Sequence, residues 1–301
     1  MIALLFPGQG AQEVGMGEEL AQAFPTAERT FAEADDVLGY ALSGVCFRGP
    51  VERLTETDVC QPALVTTSIA AWRVASEHGL RADVVLGHSL GEYSALVAAG
   101  AMPFKIALRI VAERGAAMQE AALASPGAMA ALLGMSDSDA AALCNEAGEC
   151  WPANYNCPGQ VVASGTREGI DRLLGLVAER GGKAARLSVG GAFHSPLMEP
   201  AAERLRPALQ AWEPEEPTIP FLSTTTAKPE GASALRKILL DQLTSPVRFG
   251  EAGRAAVEMG VTGAVEVGPG RVLSGLMKRI NRRIPSRQIG APADLLGLGG
   301  L

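Results

Sequence analysis

Residues 83–101 read DVVLGHSLGEYSALVAAGA. Asp83 to Leu86 is a short apolar run bounded by glycine, as expected of a strand buried in a parallel sheet. Leu90–Ala99 reads as the helix behind it. Between them Gly87, His88, Ser89, Leu90 and Gly91 fit G-x-S-x-G, in which a serine on a sharp strand-to-helix turn presents its hydroxyl for attack. Gly87 and Gly91 let helix and strand approach without a Cβ between them. A tight turn with a capping serine would use the same residues. The chemistry therefore depends on what else the chain brings to Ser89.

Outward from this stretch, apolar strands alternate with helices. Ile2 to Phe6 is a short strand stopped by Pro7-Gly8, and a polar turn leads to a helix expected over Glu18–Leu38. Gln61-Pro62 precedes a helical stretch, Ala63–Glu77, and Phe104–Ala121 has apolar residues at helical spacing. This alternation predicts an α/β fold with a parallel sheet. Past Ser125-Pro126-Gly127 the rhythm changes. Gly127–Leu133, Trp151–Asn154, Gln160–Ala163 and Lys183–Leu187 read as strands, with helices over Ser136–Ala147 and Arg167–Arg180. The order β-α-β-β-α-β is the split, ferredoxin-like unit, which closes its own small sheet. We therefore expect an inserted α+β subdomain at 125–195, a catalytic core of 1–124 with 196–284, and a loose, glycine-rich tail over 285–301. Pro217–Ser223, Phe249–Met259 and Ala264–Val267 resume the α/β rhythm within the core.

Composition narrows the function classes. The 301 residues are 48% hydrophobic and 20% charged, ample for a large core. A net charge of −7 supplies no overall field for nucleic acid or anionic lipid, although a local basic patch is compatible with it. MIALLFPGQG lacks the basic start and long apolar run of a signal peptide, and no stretch has the length and hydrophobicity of a membrane span. Five cysteines at 46, 60, 144, 150 and 157, without C-x-x-C, suit free thiols in a reducing cytoplasm and give no zinc-ligand spacing.

A nucleophilic serine needs a base within hydrogen-bond reach. The three histidines are 78, 88 and 194. His78 sits at a helix end, and His88 flanks the nucleophile, where an elbow turns the side chain away. His194, in GGAFHSPLM on a loop, remains. Asp137, Asp139 and Asp171 lie between Ser89 and His194 in the chain but stand at helix starts, where acids cap and complement the dipole. A dyad is therefore expected, its imidazole held by a backbone carbonyl or an amide. One oxyanion donor should be the N–H of Leu90, just after the nucleophile, and the second the N–H of Gln9 in FPGQGAQ. A dinucleotide fingerprint would need glycine where Glu13 stands, and an acid there repels pyrophosphate. Arg114, in AERGAAMQE, reads alone as a surface arginine; the alternative is a planar fork for a substrate carboxylate.

Taken together these stretches resemble the malonyl-CoA:acyl carrier protein transacylases. FPGQGAQEVGMG, QPALVTTS at 61–68, GHSLGEYSALVAAGA at 87–101, ERGAAMQEA at 113–121, ANYNCPGQVVASG at 153–165, GAFHSPLM at 191–198, SPVRF at 245–249 and EVGPGRVLSGL at 266–276 follow in the expected order. The resemblance implies a hydrolase-like α/β core with an inserted ferredoxin-like subdomain and the active site between them. It implies Ser89 as acylated nucleophile, His194 as general base, Gln9 and Leu90 as oxyanion hole, and Arg114 as holder of the malonyl carboxylate. It further implies that the Arg248 carbonyl orients His194 and that Gln61 and Asn156 lie near the substrate. The implied reaction is ping-pong transfer from malonyl-CoA to acyl carrier protein for fatty acid synthesis, with no metal or redox cofactor. Phe193 suits a small malonyl pocket. The carrier should meet a local basic surface, and Lys278, Arg279, Arg282, Arg283 and Arg287 form the densest basic run. A freestanding acyltransferase of a polyketide synthase would share the constellation. An editing acyl hydrolase would share nucleophile, base and hole, but has no use for a buried cation, which costs desolvation without a partner. A binding-only protein would not need Ser89 or His194.

Overall fold

The computed structural model describes residues 1–296. Along the chain the strands are β1 (Ile2–Phe6), β2 (Val84–Gly87), β3 (Gly127–Leu133), β4 (Cys150–Cys157), β5 (Gln160–Thr166), β6 (Lys183–Arg186), β7 (Phe221–Leu222), β8 (Pro229–Glu230), β9 (Gly263–Val267) and β10 (Ser286–Ile289). They form a six-stranded sheet ordered β10-β9-β1-β2-β7-β8 and a four-stranded sheet ordered β4-β5-β3-β6. In the larger sheet all neighbours run parallel except β7 and β8. The smaller sheet is antiparallel throughout.

The register of the two central strands decides where chemistry can occur. β1 and β2 pair with Leu5 opposite Leu86 and Phe6 opposite Gly87. Both strands are apolar because helices cover both faces of the sheet, and they end together. The loops that follow, carrying Gln9 and Ser89, leave the carboxyl edge side by side, where ligands of open α/β sheets gather. The glycines of the elbow are steric necessities. A Cβ on Gly87 would stand 2.0 Å from the Gly91 carbonyl carbon, and one on Gly91 would stand 2.0 Å from the Phe6 oxygen.

The smaller sheet has its own core, in which Leu132, Leu143, Val161, Ile170, Leu173 and Val177 are buried together. Each such side chain contributes about 2 kcal/mol. Helix Arg167–Glu179 shows how. Thr166 caps it by accepting from the Gly169 N–H, and Ile170, Leu173 and Val177 fall on one stripe that turns to the sheet. The unit is tied to the core where Tyr155 N–H donates to the Val247 carbonyl at 2.8 Å and Val247 N–H to Ala153 at 2.8 Å.

Three local expectations need correction. The single helix expected over Glu18–Leu38 is two, Glu18–Ala23 and Pro25–Leu38. Pro25 pushes Phe24 into extended backbone and then occupies the first helical turn, where no N–H is needed. The helix expected from Ala63 begins at Thr57 and runs through Pro62, so Gln61 lies inside it and is fully buried. The tail expected to be loose from 285 adds β10 to the edge of the main sheet, parallel to β9, followed by a short 3-10 turn, Pro292–Leu295. The rest of that expectation, residues 297–301, lies outside the described residues.

Candidate active site

Ser89 follows β2 with φ 51°, left-handed backbone that a non-glycine residue tolerates only when its surroundings hold it. Its hydroxyl lies 2.7 Å from His194 Nε2. His194 is also left-handed, at φ 57°, on a loop pinned by Ser195, whose hydroxyl donates to the Ala192 carbonyl at 2.6 Å. The other imidazole nitrogen, Nδ1, lies 2.8 Å from the main-chain oxygen of Gln242. A carbonyl only accepts, so Nδ1 carries the proton and Nε2 is left with its lone pair facing the serine. The expectation that Arg248 supplies this carbonyl is corrected. The Arg248 oxygen instead accepts from Ala252 N–H at 3.0 Å, the first bond of the helix Phe249–Glu258. A carbonyl committed to a helix axis is not aimed at a neighbouring loop.

The N–H groups of Gln9 and Leu90 belong to residues lining the same cavity as Ser89 and His194. Among the described residues, neither N–H is bonded within the chain. Arg114 enters from helix Phe104–Ala124 and is buried, with 1% of its surface exposed. Its Nη2 donates to Ser89 Oγ at 3.2 Å and to Gln242 Oε1 at 2.9 Å, and its Nη1 to Gln61 Oε1 at 2.7 Å. Among the described residues no carboxylate pairs with it directly, and its Nε has no partner. Burial pulls its pKa down, so the guanidinium is a costly cation surrounded by neutral acceptors.

The remaining sequence candidates lie further out. Gln61 sits behind Arg114 and reaches the cavity only through it; its amide nitrogen is 3.3 Å from Met118 Sδ. Asn156 Oδ1 accepts from His88 Nε2 at 2.9 Å, and both residues line a second cavity of about 220 Å³. The first cavity, about 120 Å³, shares Gln9, His88, Asn154 and Leu187 with the second, so the two lie side by side. Sequence reasoning missed Gln242 and Glu92. Gln242 acts through its main chain, which leaves no mark in a sequence. Glu92 stands in the elbow motif itself, where its total burial is the unexpected feature.

The electrostatics favour a neutral base. Burial and the nearby Arg114 charge push the His194 imidazole down to about 3, against the opposing pull of the Gln242 carbonyl. A base must be neutral, so a lowered value keeps it competent where an ordinary imidazole, near 6.5, would already be protonated. We expect the rate of Ser89 acylation to stay level from about pH 8 to about pH 5. Quenched-flow mass spectrometry of the acyl-enzyme would check this. A half-loss near pH 6.5 would show a base of ordinary strength.

Comparison with known proteins adds the lineage. The acyl transferase domain family matches residues 3–298. The chain is 47% identical to the malonyl CoA-acyl carrier protein transacylase of Bacillus subtilis strain 168, covering 98% of this chain and 95% of that protein. It is 42% identical to the enzyme of the same name from Escherichia coli K12, with 97% of each covered. Among solved structures, a malonyl-transacylase in complex with its holo type II polyketide acyl-carrier protein superposes with TM-score 0.95 at 42% identity, covering 99% of this chain and 98% of that one. The Streptococcus pneumoniae transacylase superposes with TM-score 0.96 at 38% identity over all of both chains.

Proposed function

The chain belongs to the acyl transferase family, and on that premise we propose that Ser89, with His194 as its base, carries malonyl from one thiol to another. Its relatives named malonyl CoA-acyl carrier protein transacylase, at 47% and 42% identity over nearly the whole chain, support malonyl transfer to an acyl carrier protein as the reaction. The observation that supports these residue roles best is the meeting, on one serine hydroxyl, of the His194 lone pair at 2.7 Å and the Arg114 guanidinium at 3.2 Å.

In the first half-reaction His194 Nε2 takes the Ser89 proton as Oγ bonds to the thioester carbon. The carbonyl oxygen becomes an oxyanion received by the N–H groups of Gln9 and Leu90, each worth about 3 kcal/mol to the transition state. The imidazolium forms with its Nδ1–H already on the Gln242 carbonyl. When the intermediate collapses the C–S bond breaks, and coenzyme A leaves as a thiol with the proton from His194. The malonyl-serine ester remains, its free carboxylate on Arg114 in place of the contact that the hydroxyl made. In the second half the phosphopantetheine thiol of the carrier gives its proton to His194 and attacks the ester. Ser89 then recovers the proton as it leaves. Atoms and charge balance without metal or redox cofactor. We assign the reaction to the cytoplasm, in supply of fatty acid synthesis; the five cysteines are free, as suits a reducing compartment.

Intact-mass measurement tests this reading. Protein mixed with malonyl-CoA should gain one malonyl group, retain it in buffer, and lose it to holo-carrier. Loss to water at the same rate would indicate a hydrolase.

The second cavity is where the carrier's arm would enter. Leu273 and Leu276 of helix Val272–Ile280 line it, and the same helix ends in the basic run. Lys278, Arg279, Arg282 and Arg283 are exposed, and residues 267–293 contain no acid. Lys278, Arg282 and Arg283 form no ion pair among the described residues. We propose this face as the carrier's docking surface. Reversing Lys278, Arg282 and Arg283 to glutamate should raise the KM for holo-carrier about tenfold at low salt and flatten its salt dependence. Unaltered affinity and salt dependence would discard the patch.

A further inference from the structure

Glu92 has no part in the steps above, yet it is wholly buried a few residues past the nucleophile. Its Oε1 accepts from Ser223 Oγ at 2.9 Å, from Thr224 Oγ1 at 3.0 Å and from the Thr224 N–H. Its Oε2 accepts from Gln242 Nε2 at 2.6 Å. The same Gln242 nitrogen donates to the Ser89 main-chain oxygen at 3.1 Å, while Gln242 Oε1 accepts from Arg114 and its main-chain oxygen from His194. One residue thus touches nucleophile, base and cation.

An amide has a donor end and an acceptor end, and both Glu92 oxygens accept here, the donors of Thr224, Ser223 and Gln242 opposing the burial that pushes its pKa up. Glu92, together with the Ser89 main-chain oxygen, therefore holds the NH2 end of the Gln242 amide. The NH2 group must turn to Glu92, which leaves the oxygen for Arg114. Gln242 also keeps Glu92 off the guanidinium. A direct ion pair would fill the fork that the substrate carboxylate needs, whereas an acid one amide away leaves it open.

We infer that Glu92 is a positioning residue for acyl selectivity: through the Gln242 amide it aims Arg114 at the carboxylate of the group carried by Ser89. The competing role is a plain anchor, in which Glu92 only fastens the Ser223-Thr224 turn to the elbow helix. The inference rests on the malonyl-transfer reading.

The test compares the rates at which malonyl-CoA and acetyl-CoA acylate the protein, each divided by the fraction of sites that acylate at end point. In Glu92→Gln an amino group would face the Gln242 amino group. The two amino groups repel, the Gln242 side chain shifts away from Glu92, and Arg114 loses the acceptor that aims it. The malonyl-to-acetyl rate ratio should fall about tenfold, a change of about 1.4 kcal/mol. An anchor would lower the thermal midpoint or the active fraction without moving the ratio, so an unchanged or higher ratio overturns the inference. If Glu92→Gln does not fold, Gln242→Leu decides. It keeps the main-chain carbonyl under His194 but removes the amide, and the same fall is expected; an unmoved ratio again overturns it. Wild-type protein that gains no malonyl mass would overturn the transfer reading itself, whereas normal wild-type loading with unmoved variants overturns only this inference.

Discussion

Ser89→Ala protein is expected to gain no malonyl mass and to lose transfer to the carrier by at least about 10⁴-fold, the scale seen when a nucleophile that works as a unit with its base is removed. No neighbour can replace it. The hydroxyl is the group held 2.7 Å from the His194 lone pair. His194→Ala should be nearly as severe. The serine would keep its Arg114 contact, but nothing would receive its proton. The two variants separate cleanly by mass. Ser89→Ala carries no acyl group at any time, whereas His194→Ala should acquire one slowly over long incubation. A malonyl adduct on Ser89→Ala would place the nucleophile elsewhere.

Arg114→Ala is the second large effect, and it acts on selectivity. The malonyl carboxylate would lose a buried, charge-assisted pairing, which costs about 3 kcal/mol, or about 10²-fold in malonyl acylation. Acetyl-CoA offers no carboxylate, so its acylation should fall much less and the preference between the two should collapse. Part of the loss is indirect, because the acceptors on Gln61 and Gln242 are then left without their donor. Arg114→Lys would separate charge from geometry. It restores a cation but not the planar fork, and should recover only part of the malonyl rate. Unaltered selectivity in Arg114→Ala would remove the carboxylate role from this residue.

The α/β rhythm and the smaller antiparallel unit were legible because strands and helices are written in hydrophobic periods over a few residues. The errors arose where prolines and glycines compete with the hydrophobic pattern around them. Pro25 splits a helix whose apolar pattern is continuous across it. Pro62 was read as a boundary but lies inside a helix whose burial compensates for the missing bond. The segment after 285 looked like tail because its glycines and prolines outweighed four residues that pair with β9.

The elbow of the proposed active site was likewise present in the residues themselves, because Ser89, its flanking glycines and the Leu90 N–H sit at fixed offsets in one strand–turn–helix. The partner of His194 was not. A main-chain oxygen is common to every residue, so only folding distinguishes the carbonyl of Gln242 from that of Arg248. The donors on Glu92, and the amide that stands between it and Arg114, come from a loop and a helix end more than a hundred residues away in the chain. Sequence alone therefore determined which groups could react, through local pattern and side-chain chemistry. Tertiary structure decided which of them meet and how each is oriented, because orientation depends on the directions of main-chain and amide dipoles once distant segments pack.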